Sequence, residues 1–157
     1  MSRRFTLPLM LILAGFTVMG CTASEPKPQR VLSVEDLPII WQQGGTNSRL
    51  RRPIRLLARD AETLADIPLA EVPVDWNEHM VLVHGLGPTP TAQNAVTIVR
   101  VWREGSVIKV QERQIHPGPD AVATGAPGSP WTIAIIPRSD WNVEGYSTSL
   151  PAKAFLR

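Results

Sequence analysis

Three histidines are the side chains of this sequence that could exchange protons near neutral pH. His79 and His84 stand five residues apart on or beside an apolar strand, and an odd separation places two side chains on opposite faces of a strand. They therefore cannot hold one ion through that strand. His116 lies far along the chain, and no carboxylate pair stands at metal-ligand spacing from any of the three. The sequence therefore predicts no metal site and no cofactor.

The sequence also lacks the motifs that mark a nucleophile or a phosphate site. Ser129 is not surrounded by the strand, turn and helix of a nucleophile elbow. Gly85 and Gly87 are followed by proline and not by a helix, so they do not form a phosphate-binding loop. We therefore expect a protein that is not an enzyme. The alternative is a small hydrolase that uses His84 or His116.

The element that organises the fold is a short apolar strand over residues 80–83, with turn-forming residues on both sides. An apolar run without alternation is typical of a strand buried on both faces. Further strands are predicted at residues 37–41, 52–58, 95–102, 106–113 and 131–137. The sequence therefore predicts a mainly β domain: an antiparallel β-sandwich or partly open barrel of about six to seven strands with one short helix.

The helix is predicted at residues 60–67. Asp60 can cap it, and Glu62 lies in the first turn, where the helix dipole favours a carboxylate. Pro68 limits its length. Residues 42–49 are predicted to form a loop, because they contain two adjacent glycines and an asparagine.

Residues 103–105 are a short, glycine-containing connection that predicts a β-hairpin between two of the strands. Simple alternation along the first of these strands would place Val96 and Ile98 on one face. Val99 and Val101 would then lie on the other face.

Residues 1–20 have the layout of a secretory signal peptide: two arginines, an apolar stretch too short to span a membrane, and Gly20 before the single cysteine, Cys21. The end of this segment resembles the lipobox of bacterial lipoproteins, in which the residue matching Cys21 carries the lipid and becomes the mature N-terminus. The alternative is cleavage nearby, which would leave an unpaired thiol. The resemblance implies a protein that is lipid-anchored to a bacterial membrane in the cell envelope, on its periplasmic or cell-surface face.

Removal of the signal peptide changes the charge of the chain. The whole sequence has 16 basic and 14 acidic residues, but Arg3 and Arg4 leave with residues 1–20, and no acidic residue does. The remaining chain is therefore neutral overall, which does not favour a nucleic-acid partner. Residues 21–30 are polar and predict a flexible tether, and residues 31–157 have the length of a single domain.

Two proline-rich loops, residues 85–94 and 115–130, are the best candidates for function. A rigid β scaffold commonly displays binding loops, and proline lowers the entropy that a loop loses when it docks. Trp131 either belongs to a binding surface or anchors the core at a strand end. The loops therefore predict binding of a partner protein rather than catalysis.

Residues 52–138 resemble the C-terminal domain of the PrcB protease-complex accessory subunits, on a pattern of turns and strands: Val74-Asp75-Trp76, Gly87-Pro88-Thr89-Pro90-Thr91, Pro117-Gly118-Pro119 and Ser129-Pro130-Trp131. The resemblance implies a non-enzymatic envelope protein that binds or stabilises a protease or another exported partner. From the two loops and this pattern, we expect partner contacts at Gly87, Pro88, Pro90, Thr91, Pro119 and Trp131.

A second resemblance leaves an alternative function. Pro90-Thr91 and Ser129-Pro130-Trp131 are similar to the loops of chagasin-type inhibitors of cysteine peptidases, which are also β-sandwiches. This resemblance implies that the chain inhibits a papain-type peptidase.

Overall fold

The structure is a computed structural model of the chain, and it describes residues 33–65, 67, 72–118, 126–151 and 154. The predicted signal peptide (1–20), the tether (21–30) with Cys21, and Pro119 lie outside the described residues. Across the described ranges, no helix combines the length and the apolar character that a membrane span requires.

The described part of the chain forms eight strands and one helix: β1 (Val34–Leu37), β2 (Trp41–Gly45), β3 (Ile54–Ala58), α1 (Ala61–Ala65), β4 (His79–Gly85), β5 (Ala95–Glu104), β6 (Val107–Ile115), β7 (Trp131–Pro137) and β8 (Asn142–Val143). Sheet 1 has the order β1-β5-β6-β8, and sheet 2 has the order β2-β7-β4-β3. Neighbouring strands are antiparallel, except that β6 and β8 are parallel. The predicted mainly β fold with one short helix is confirmed, in its sandwich form.

β4 and β7 form the middle of sheet 2, and both are buried on their two faces. Met80 and Leu82 pack between the two sheets. Val81 and Val83 pack on the other side of sheet 2, where Leu64 of α1 joins them in a second core. Because both sides of β4 are covered, its sequence is apolar without alternation. The predicted central strand is therefore confirmed.

The short helix α1 is confirmed together with its cap. The Oδ1 of Asp60 accepts a hydrogen bond from the N–H of Thr63 at 2.7 Å, and this bond lowers the pKa of the Asp60 carboxyl. A helix this short is not stable alone, so the packing of Leu64 against sheet 2 holds it. Pro68 lies outside the described residues.

The opening strand predicted at residues 37–41 is wrong, because the chain changes sheets there. β1 pairs with β5 in sheet 1, whereas β2 pairs with β7 in sheet 2. Pro38 lies between the two strands, and without an N–H it cannot continue a hydrogen-bonded ladder. The first residues of the predicted loop at 42–49 therefore belong to β2.

β5 contains a bulge at Val99 that reverses the predicted alternation. Ile98 and Arg100 pair with consecutive residues of β6, so Val99 is an extra residue. Val101 is consequently buried between the sheets together with Ile98, and Val99 is exposed. Alternation counted along the sequence could not detect this shift.

Gln42 lies beside β5 where its pairing with β1 has ended. With the amide oriented to satisfy its neighbours, its nitrogen donates to the Ile98 carbonyl at 3.0 Å and its oxygen accepts from the Ile98 N–H at 3.1 Å. The same oxygen accepts hydrogen bonds from the hydroxyls of Thr97 (2.6 Å) and Thr132 (3.1 Å). The side chain of Gln42 therefore replaces a neighbouring strand at one residue of β5 and joins the two sheets.

Replacing Gln42 by alanine should lower the free energy of unfolding by about 1–3 kcal/mol, because the buried N–H and C=O of Ile98 lose their partners. The matched control is Gln43→Ala. Gln43 is exposed at the next position of β2, so its truncation should change the free energy by no more than about 0.5 kcal/mol. Urea denaturation measures both, and equal losses in the two variants would contradict the role of Gln42.

Candidate binding groove at the loop end

The described parts of three loops meet at one end of the sandwich, which we call the loop end: residues 46–53, residues 86–94, and residues 116–118 with 126–130. The register of sheet 2 brings them together, because Gly85 at the end of β4 pairs with both Ile54 and Trp131, which begin β3 and β7. The described residues of the two loops in which we expect function, 85–94 and 115–130, therefore lie at the same end of the fold.

Backbone hydrogen bonds tie these loops to one another. The N–H of Ser129 donates to the carbonyl of Thr46 at 2.7 Å, and the N–H of Ser48 donates back to Ser129 at 2.9 Å. Thr89 and Gly128 exchange two bonds of 2.8 and 3.0 Å. Loops that are bonded in this way lose less conformational entropy when a partner binds. The loop end is therefore a preformed surface.

A groove of about 600 Å³ opens at the loop end, and we call it the main groove. Both candidate loops line it, together with the loop-end residues of β3, β4 and β6. The side chains that matter for its chemistry are Arg55, His84, Pro90, Thr91, Asn94 and His116. The main groove therefore combines cationic, imidazole, amide and apolar surfaces.

Glu112 of β6 bridges the two sheets beside this groove. Arg55 of β3 donates three hydrogen bonds to its carboxylate, at 2.7, 3.0 and 3.1 Å. The hydroxyl of Tyr146 donates a fourth, at 2.8 Å. The Nδ1 of His84 lies 3.0 Å from the same carboxylate. Three side chains therefore meet at the Glu112 carboxylate: one from β3, one from β4 and one from the segment after β8.

Burial and hydrogen bonding act on the Glu112 pKa in opposite directions. Burial raises it, but the contacts with His84, Arg55 and Tyr146 outweigh burial and lower the pKa to about 2. Burial also raises the pKa of the Tyr146 hydroxyl, and the charge of Glu112 raises it further, well above its usual range. Glu112 is therefore ionised and Tyr146 is a neutral donor throughout the physiological range.

His84 lies on the face of β4 that turns towards sheet 1, and its side chain is only 3% exposed. Its Nδ1 is close to Glu112, but the two groups are not aligned as a regular hydrogen bond, so Nδ1 remains an unsatisfied buried polar atom. Such an atom deserves a functional explanation because leaving it unpaired costs stability. His84 therefore brings to this groove a buried nitrogen that lacks a regular hydrogen bond.

His116 approaches the same groove from the loop after β6. Its Nδ1 lies 3.0 Å from the side-chain oxygen of Asn94, whose nitrogen donates to the carbonyl of Thr91 at 3.1 Å. His79 begins β4 and pairs with Pro137 at the opposite end of the sandwich. Within the described ranges, no three histidine, cysteine or acidic side chains are grouped so as to hold a metal ion.

Several of the predicted partner-binding residues lie at grooves. Pro90 and Thr91 line the main groove. Pro88 lines a second groove of about 560 Å³, together with Arg49 and Ser129. Pro119 lies outside the described residues.

The other two predicted binding residues, Gly87 and Trp131, are buried. Gly87 has a φ of 73°, and a Cβ there would lie 2.7 Å from the carbonyl carbon of Arg52, so the backbone itself requires glycine. Trp131 is 8% exposed and packs in the second core, with its ring against Gly45. Both residues therefore pack within the fold and support the loops, and their contact with a partner stays a prediction.

Glu112 is a functional candidate that the sequence did not reveal. One signal could have indicated Glu112: it follows Ile108 and Val110 on the buried face of β6 at a spacing of two residues. A charged residue on an apolar face requires a buried partner. The identity of that partner depends on the packing of the two sheets, which the sequence does not display.

Comparison of the chain with protein-family models, with curated proteins and with solved structures finds no match. The function must therefore be inferred from the groove and its residues.

Glu112→Gln should make the stability of the protein less dependent on pH. The Glu112 pKa falls from its usual 4.5 to about 2 in the fold. Its ionisation therefore favours folding above pH 4.5, and this contribution is lost as the pH falls from 4.5 towards 2. At neutral pH, the substitution should lower the free energy of unfolding by about 1–2 kcal/mol, allowing for screening by solvent.

Urea denaturation of the wild type and of Glu112→Gln, from neutral pH down to about 2, measures the effect. Most of the difference between their free energies of unfolding should disappear near the lower end of this range. Glu144→Gln is the matched control, because the Glu144 side chain is 65% exposed and should show no such pH dependence. A destabilisation by Glu112→Gln that is the same at neutral and at acidic pH would contradict the depressed pKa.

Proposed function

We propose that this chain is a lipid-anchored protein of the bacterial cell envelope that binds a partner protein through the main groove and its loops. The observation that carries the proposal is the meeting of two proline-rich loops at one preformed groove of about 600 Å³. Cys21 would carry the lipid, and residues 21–30 would separate the β domain from the membrane.

The lining of the main groove supports recognition of a protein surface. Apolar and hydrogen-bonding side chains line it together, which is the composition that specific binding sites use. The apolar members are Pro53, Leu86, Pro90 and Pro117, and the polar members include Arg55, Asn94, Gln114 and His116. Following the resemblance to the PrcB subunits, the proposed partner is a protease or another exported protein that this chain binds or stabilises.

The burial of two residues gives no support to the alternative of a chagasin-like peptidase inhibitor. Ser129 is 6% exposed and Trp131 is 8% exposed, so this turn does not project towards a peptidase cleft. Pro90 and Thr91 alone would then have to make the inhibitory contact.

A second candidate function, a hydrolase, is favoured by the placement of His84 and Glu112 beside the groove. A carboxylate next to an imidazole can orient it as a general base. The nearby hydroxyls are engaged in turns, because Thr89 donates to the carbonyl of Thr91, and Thr91 accepts from the N–H of Gln93. Water would therefore be the nucleophile. Turnover of ester or peptide substrates by the full chain, lost in His84→Ala, would favour this function over binding.

Capture of a partner from an envelope extract tests the binding function. The full chain should retain a specific protein, and its affinity should fall at least about tenfold in a His116→Ala, Pro90→Ala double variant, because both side chains line the main groove. His79→Ala is the matched control, since His79 lies at the opposite end of β4 and should leave the affinity unchanged. A partner that binds the double variant as tightly as the wild type would contradict the assignment of the groove.

Replacement of Cys21 by serine tests the proposed anchor. Serine cannot accept the lipid as a thioether, so the variant should stay unprocessed or leave the membrane fraction. Fractionation and the intact mass of the protein measure this. Recovery of the variant in the membrane fraction at the processed mass would contradict lipidation at Cys21.

A further inference from the structure

β6 is longer than the strand that pairs with its outer edge. β8 pairs only with Val107 and Ile108, and the N–H of Glu144 adds one bond to the Ile108 carbonyl. The chain then turns at Gly145, which has a φ of 77°, and Ser147 pairs with β3 instead. The part of β6 beyond Ile108 therefore has no strand on this side among the described residues.

The direction of the Ile108 carbonyl determines which groups this edge presents. Ile108 bonds outwards to the segment at β8, and backbone groups alternate between the two sides along a strand. Val110, Glu112 and Gln114 therefore also direct their N–H and C=O groups outwards. None of these backbone groups has a backbone partner within the described ranges. The edge thus offers three consecutive outward-facing residues, which is the template for an added strand.

Open space lies at both ends of this edge. A smaller cavity of about 190 Å³ begins at Gly145 and Ser147, where the chain leaves β8. It shares Pro53, Arg55 and His84 with the main groove, which continues to the end of β6. The smaller cavity therefore lies where the chain leaves β8, and the main groove reaches the other end of this edge at Gln114.

The charges beside this edge favour an acidic occupant. Arg55 is 48% exposed on the side of sheet 2, and Arg113 is exposed on the outer face of β6 without an ion pair in the described part of the chain. The carboxylate of Glu112 is 12% exposed and already accepts four hydrogen bonds, three of them from Arg55. An added strand would therefore meet the exposed guanidinium of Arg113 on its outer face, and on its other face the half-exposed guanidinium of Arg55, whose charge Glu112 partly compensates.

We propose that an extended polypeptide segment with acidic side chains binds here as an additional strand of sheet 1, paired with Val110, Glu112 and Gln114. The inference rests on the proposed binding function and specifies the segment that the partner presents. Acidic side chains on one face of the segment contact Arg55, and those on the other face contact Arg113. Main-chain hydrogen bonds supply affinity, and the two arginines supply selectivity.

A display library of random peptides tests this inference with the full chain as bait. Peptides of about eight residues are long enough, because a strand rises about 3.3 Å per residue. The enriched sequences should carry acidic residues among β-branched ones. In the complex with the best synthetic peptide, the amides of Val110, Glu112 and Gln114 should exchange at least about tenfold more slowly, while Gln111 and Arg113, already bonded to β5, should change little.

Three variants separate pairing at the edge from contacts made by side chains. Gln114→Pro removes an N–H that points away from β5, so the ladder with β5 remains and peptide affinity should fall at least about tenfold. Gln114→Ala keeps this N–H and should bind within about threefold of the wild type. Arg113→Glu, which alters no backbone group, should weaken acidic peptides at least about fivefold and favour peptides with lysine in place of the acid.

The inference is overturned if no peptide is enriched, or if Gln114→Pro binds peptide as well as Gln114→Ala. Protection of the same amides that rises with protein concentration in the absence of peptide would assign the edge to a second copy of the chain and would also overturn it.

The captured envelope partner distinguishes the two proposals. If His116→Ala with Pro90→Ala loses the partner but Gln114→Pro keeps it, only the edge inference fails; if both keep it, both proposals fail.

Discussion

The loop end of this sandwich depends on one carboxylate. Glu112 accepts the hydrogen bonds of Arg55 and Tyr146 and lies beside His84, so it joins sheet 1 to sheet 2 where the apolar core between them ends. Without it, the buried phenol of Tyr146 would lose its acceptor, which costs stability because a buried donor is then left unpaired. The main groove and the edge of β6 are both built around this cluster.

The space between the sheets changes in character along the strands. On β4 the inward side chains are Met80, Leu82 and then His84, and on β6 they are Ile108, Val110 and then Glu112. Burial of the apolar members supplies the stability of the sandwich. The polar members add less stability but fix the orientation of their neighbours. The same two strands therefore contribute to the core and to the binding surface. Their apolar positions stabilise the fold, and their positions near the loop end carry the polar groups of the groove.

Local patterns in the sequence predicted the elements that depend on local chemistry. The apolar run of β4, the hairpin of β5 and β6 and the Asp60 cap are confirmed, because strand burial, turn geometry and capping act over a few residues. The change of sheet at Pro38 and the bulge at Val99 were not predicted, since both depend on which strands are neighbours. The same limit applies to the site: the loops were predicted, but the meeting of Arg55, His84, Glu112 and Tyr146 is set by sheet packing.

The carbon-13 NMR titration of the Glu112 side-chain carboxyl in the full chain tests most directly whether the loop end is organised around this carboxylate. If Arg55, Tyr146 and His84 stabilise the charged carboxylate as the geometry indicates, the midpoint of the titration lies at about 2. A midpoint at the usual 4.5 or above would mean that the carboxylate is not held by these groups and that the loop end is not organised around it.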